Sequence, residues 1–131
     1  MTMRSFAVLF LVFSSVAVAE QVTVRELSDH PGKYDGKHVT VRGWVVIGDE
    51  ARYLTATRNA SRDTDVHTCI SVINGGGLDA QEKIVNGKLV LLSGIFRQDV
   101  FRDKVIRLGL CNKTALDLEN KNIEENIQIV R

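Results

Sequence analysis

Residues 38–47 alternate with a period of two. Val39, Val41, Gly43, Val45 and Ile47 fall on one face, and His38, Thr40, Arg42, Trp44 and Val46 on the other. That period marks a strand with one buried face, so the pattern predicts a long strand with its valine face inward. Gly43 in the middle suits the sharp coiling of a strand that serves both halves of a curved sheet. Gly48-Asp49-Glu50 then reads as a turn, 52–56 as a short second strand, and the polar, aperiodic stretch 58–65 as an exposed loop. Residues 67–73 predict a third strand, ended by Gly75-Gly76-Gly77. Residues 78–86 predict one short helix, with Asp79 as its cap, Glu82 three residues on, and Gly87 just past its C-terminus. The nearly continuous apolar run 89–96 predicts a fourth strand, 97–103 a hairpin loop, and 104–111 a fifth strand.

The flanks are less regular. His30-Pro31-Gly32 and Tyr34-Asp35-Gly36 break up residues 20–37, which read as a brief helical or extended lead-in. Residues 113–131 are charged and Asn-rich, with Leu116, Leu118, Ile123, Ile127 and Ile129 as anchors, and their pattern fits helix and strand equally. Five strands with a single helix between the third and fourth is the layout of an OB-type barrel, a small all-β Greek-key fold. The barrel is assigned to 38–112, with the helix closing one end and 113–131 as a C-terminal tail. Such a barrel is mainly a binding platform.

Residues 1–19 stand apart. Arg4 is followed by an apolar stretch from Phe6 to Val16, and Ala17-Val18-Ala19 precedes Glu20. This is the pattern of a secretory signal peptide, and the apolar run falls short of the roughly 20 residues of a membrane span. The expected mature protein is periplasmic or secreted, with no membrane span after cleavage. Removing 19 of 131 residues leaves 112, enough for one domain with its own core. Arg4 is one of 17 basic residues, so its loss leaves 16 against 16 acidic ones. A neutral balance does not favour nucleic acid as the partner, because dedicated binders carry a basic excess, although a local basic patch is compatible with it.

Cys69 and Cys111 are the only two cysteines, and an even count in an exported chain predicts a disulfide. Strand parity agrees. If Ile70 and Val72 point inward on the third strand, and Ile106, Leu108 and Leu110 on the fifth, both cysteines point outward on neighbouring strands. The rival reading makes Cys69 a nucleophile beside His67. Residues two apart on a strand share a face without touching well, however, and no third orienting group accompanies them.

The stretch Tyr34-Asp35-Gly36-Lys37-His38-Val39-Thr40-Val41-Arg42-Gly43-Trp44-Val45 resembles the first-strand signature of bacterial OB-fold proteins, in which a Tyr-Asp-Gly-Lys turn leads into a Val-x-Val-x-Gly strand. The chain is similar to the periplasmic bacterial OB-fold family and to anticodon-binding-like OB modules over residues 34–111. The resemblance implies an exported location and a barrel fold; it implies no activity.

The binding surface of such a barrel is the outer face of its second and third strands with the adjoining loops. Here that surface would draw on Arg42, Trp44, Arg52, Tyr53, His67, Arg97, Phe101 and Arg102. Aromatic rings for stacking beside arginines for anions compose a groove for an extended ligand, whether oligonucleotide, oligosaccharide or peptide. A competing reading has Trp44 and Tyr53 covered by the lead-in or the tail, and the arginines paired with Asp49, Glu50, Asp99 and Asp103. The corresponding alternative function is a structural or envelope-assembly component docking on a partner protein. No catalytic set emerges. Arg58, Arg62, Asp63 and Asp65 match no nuclease spacing, His30, His38 and His67 lack metal-ligand spacing, and the triple glycine lacks the Lys-Ser/Thr of a phosphate loop. The expectation is a non-enzymatic protein without a cofactor.

Overall fold

A computed structural model describes residues 20–48, 51–58, 69–100, 111 and 113–131. Strand β1 (Glu20–Thr23) leads into two short helices, α1 (Val24–Asp29) and α2 (Pro31–Tyr34). Next come β2 (His38–Ile47), β3 (Arg52–Thr55) and β4 (Cys69–Ile73), then α3 (Gly76–Ala80) and α4 (Glu82–Val85), and then β5 (Leu89–Arg97). The chain ends in β6 (Ala115–Asp117), α5 (Ile123–Asn126) and β7 (Ile127–Ile129).

The order β2-β3-β4-β6-β5 returns to β2 through a β2–β5 pairing, which closes a five-stranded barrel. Its one parallel contact, β4 with β6, and the helical connection between β4 and β5 are the OB-type arrangement. Strand β2 does double duty: residues 38–44 pair with β5, while Trp44 to Ile47 pair with β3. Its buried positions are Val39, Val41, Gly43, Val45 and Ile47, the face its alternation predicts. Residues 90, 92, 94 and 96 of β5 bury the same way. The core joins Val39, Val41, Val45, Leu54, Ile70, Val72, Leu92, Phe96 and Leu116. Leu78 and Val85 of α3 and α4, Val24 and Leu27 of α1, and Leu118 and Ile123 near the C-terminus complete it.

The strand that closes the barrel differs from the expectation. The expected fifth strand spans 104–111, of which 104–110 lie outside the described residues, and Ala115–Asp117 fills its position. Ser71, Val72 and Ile73 align with Ala115, Leu116 and Asp117, which align in turn with Arg97, Phe96 and Ile95. Three residues are too few for a period to show, and a strand ending in Asp117 is not conspicuously apolar. The buried carboxylate is tolerated because Asn74 Nδ2 and the Glu119 amide donate to it at 2.9 and 2.8 Å, which meets its need for hydrogen bonds. The segment treated as a tail thus closes the barrel, and β7 adds to it by pairing with residues 90–92 of β5.

The helical connection also departs in detail. It is two short turns divided at Gln81, and its first N-cap is Gly75 without a side-chain bond. Asp79 lies inside α3 and pairs instead with Arg52 of β3. Gly87 follows the second turn at φ +76°, where a residue without Cβ is favoured. The lead-in is both extended and helical: β1 runs parallel to β2 with Val22 opposite Val41, and the Thr23 hydroxyl caps α1 by accepting from the Glu26 amide.

Gly94 marks the tightest crossing. A Cβ there would sit 2.7 Å from the Asp117 carbonyl oxygen and 3.1 Å from Leu116 Cγ. A ladder oxygen cannot move aside without shifting β6, so Gly94→Ala is expected to destabilise the protein by about 1–3 kcal/mol. A lowered urea midpoint at unchanged slope would register this, and an unchanged midpoint would mean that β6 does not cross there.

Candidate ligand-binding clefts

The outer face of β2 carries His38, Thr40, Arg42, Trp44 and Val46, all exposed or half-buried. Pairing places Leu89 beside Trp44, Leu91 beside Arg42 and Ser93 beside Thr40 on β5. On the other side of β2, β1 sets Thr23 beside Arg42, and Arg25 follows in the first turn of α1. These neighbours build two clefts along one face.

The first cleft, of about 470 Å³, is lined by Arg25, Arg42, Trp44, Ala56, Leu89 and Val24. Its floor is in part Gly43, where a Cβ would stand 2.9 Å from Val24 Cγ2, so the lack of a side chain lets α1 approach β2. The Arg58 guanidinium lies 5.6 Å over the Trp44 ring, a cation–π contact that adds a third positive charge. Among the described residues no carboxylate pairs with Arg25 or Arg42. The second cleft, of about 440 Å³, is lined by Thr40, Leu91, Ser93, Glu125, Asn126 and Gln128. There the hydroxyls of Thr40 and Ser93 lie 2.8 Å apart. The clefts adjoin across the Arg42–Leu91 pair. The track from Trp44 to Thr40 spans four residues of strand, about 13 Å at the usual rise.

The anticipated site residues do not assemble as one patch. Arg42 and Trp44 meet in the first cleft. Tyr53 lies outward on β3, opposite Val46 and Ser71, one row from Trp44. Arg97 lies at the end of β5, four residues beyond Ser93, its guanidinium 3.4 Å from Asp117. Arg52 shares the inward parity of Leu54 and, at the end of the barrel, turns its guanidinium to both carboxylate oxygens of Asp79. A group held in that bidentate pair is not displayed for a ligand. His67, Phe101 and Arg102 lie outside the described residues. The clefts run along β2 and β5, the first and fourth strands of the barrel, rather than along the second and third. Of the acids suggested as partners, Asp99 lies 3.9 Å from Lys113, and Asp49, Glu50 and Asp103 lie outside the described residues; Arg52 and Arg97 meet Asp79 and Asp117.

Sequence reading missed Arg25, Leu89 and the whole second cleft, and it placed Arg58 in a loop set rather than over Trp44. The predicted disulfide is present: Cys69 and Cys111 are bonded, their Cα atoms 5.4 Å apart. Cys69 pairs with Thr55, which pairs with Trp44, so the link anchors the same outer row as the indole. Among the described residues, no group of His, Cys, Asp and Glu side chains is arranged to hold a metal, and no helix is long and apolar enough to cross a membrane. No protein-family model, curated protein or solved structure matches the chain.

Proposed function

We propose that the chain is an exported, non-enzymatic binding module that holds an extended ligand along the outer β2–β5 face of its barrel. The observation that carries the reading is the half-buried Trp44 indole lining an open cleft beside Arg25 and Arg42. A large ring with one part packed and the rest accessible is a typical ligand anchor. The adjoining Thr40–Ser93 cleft extends the track beyond what a single small group would fill. Export is supported by the leader pattern of residues 1–19 and by the Cys69–Cys111 bond, which persists in oxidising compartments.

Trp44 is the only tryptophan of the chain, so its emission reports on this site alone. Titration with a single-stranded oligonucleotide, neutral oligosaccharides and extended peptides is expected to give saturable quenching or a spectral shift with one of these classes. The effect should disappear when Thr40 and Ser93 are replaced by bulkier leucines in a protein that still melts cooperatively. Emission unmoved by every titrant would reject a ligand cleft here and leave the docking of a partner protein as the better account.

A further inference from the structure

The two clefts differ in charge, and the difference sets a direction along the track. At the Trp44 end stand Arg25, Arg42 and Arg58 with an aromatic and aliphatic lining. At the Thr40 end stand hydroxyls and amides, together with the carboxylate of Glu125. A chain bearing negative charge at every step would meet favourable cations at one end and an acidic side chain at the other. A ligand with its charge gathered at one end would not.

Resting on the binding reading above, we infer that the ligand is a planar ring bearing an anionic group at one end, continued by an uncharged, hydroxyl-bearing portion, and is not a polyanion. The ring packs in the first cleft against Trp44, with Leu89 and Ala56 as its apolar surround. Arg25 and Arg42, which face no carboxylate among the described residues, receive the anion, carried as phosphate or as carboxylate. The uncharged portion crosses the Arg42–Leu91 pair and exchanges hydrogen bonds with Thr40, Ser93 and Gln128. The neutral overall balance of the mature chain fits a ligand of low charge better than a phosphate chain.

The test follows Trp44 emission, excited where nucleosides do not absorb, with six probes: orotidine, whose ring bears a carboxylate and continues into an uncharged ribose, uridine, phenyl phosphate, nicotinate, inorganic phosphate and an eight-residue single-stranded oligothymidylate. Orotidine is expected to bind roughly tenfold or more tightly than uridine or inorganic phosphate, since charge-assisted bonds are the strong ones. The phenyl phosphate and nicotinate arms tell which anionic group is preferred. Arg25→Ala and Arg42→Ala should each weaken orotidine binding roughly tenfold while changing uridine binding little, in proteins whose melting temperature is unaltered. The oligothymidylate should bind no more tightly than orotidine.

Uridine binding as tightly as orotidine, or Arg42→Ala without effect, would overturn the inference. So would an oligothymidylate bound far more tightly, with steep loss on adding salt. Quenching by neutral oligosaccharides or peptides alone would sink the charged-ring ligand and leave the binding cleft standing. Silence from every probe here and in the earlier titration would remove the cleft itself.

Discussion

Phe96→Ala is expected to destabilise the protein by about 3–5 kcal/mol, the range for truncating a large aromatic in a packed core. Phe96 is fully buried on β5 opposite Leu116 of β6. Its backbone also ties the barrel to the lead-in: the Phe96 amide donates to the Lys37 carbonyl at 3.0 Å, and the Gly36 amide donates to the Phe96 carbonyl at 2.8 Å. The ring thus lies in the barrel core, paired in register with Leu116 of the three-residue strand that closes the barrel. Because β6 has so few ladder bonds, its place depends heavily on that packing. Phe96→Leu refills much of the space and should cost less than about 2 kcal/mol. Urea unfolding of the two variants provides the comparison. A loss below about 1 kcal/mol for the alanine variant would be inconsistent with an interior position.

Replacing both Cys69 and Cys111 by alanine is expected to cost about 2–4 kcal/mol. The bond closes a loop with a sequence separation of 42, and restricting the unfolded chain over that length is worth about 4 kcal/mol in the chain-entropy model. Cys69 and Cys111 are 1% and 0% exposed, so a mild reductant should act slowly on the native protein and quickly once it unfolds. The expected result is a melting temperature lowered by roughly 10 °C or more, both in the double variant and in protein unfolded and refolded with reductant. Equal melting temperatures with and without reductant would show that the link contributes nothing to stability.

The two long strands were legible because each has one buried face and one open face, and the alternation of residues 38–47 and the apolar run 89–96 record that directly. The closing strand was not legible. Ala115–Asp117 is too short to show a period, and its carboxylate is made tolerable by Asn74, more than forty residues away in sequence. Residues 104–111 carry a cleaner alternation and drew the assignment. Arg52 was misplaced for a different reason. Its polarity suggests the outer face, yet strand parity ties it to the buried Leu54, and at the end of a barrel an inward position opens onto solvent and onto Asp79. Attention to parity over polarity would have placed it. Of the cleft, Arg42 and Trp44 could be read from the β2 alternation. Arg25 could not, because only the parallel register of the four-residue strand β1 brings it there.

The closure of the barrel by β6 also orders the events of assembly as the chain is delivered N-terminus first. A chain emerging from its N-terminus can pair β2, β3 and β4, and can then add β5 to the free side of β2. The resulting open sheet has β4 and β5 as its two edges, both rich in branched apolar residues, until residues 115–117 arrive and bond to both at once. Unpaired edges of that kind recruit other chains. A chain interrupted before Ala115 would therefore hold most of its core residues and still present two adhesive edges. Aggregation of incomplete chains, rather than their clean unfolding, is the hazard inherent in this topology, and it lasts until residues 115–117 are in place.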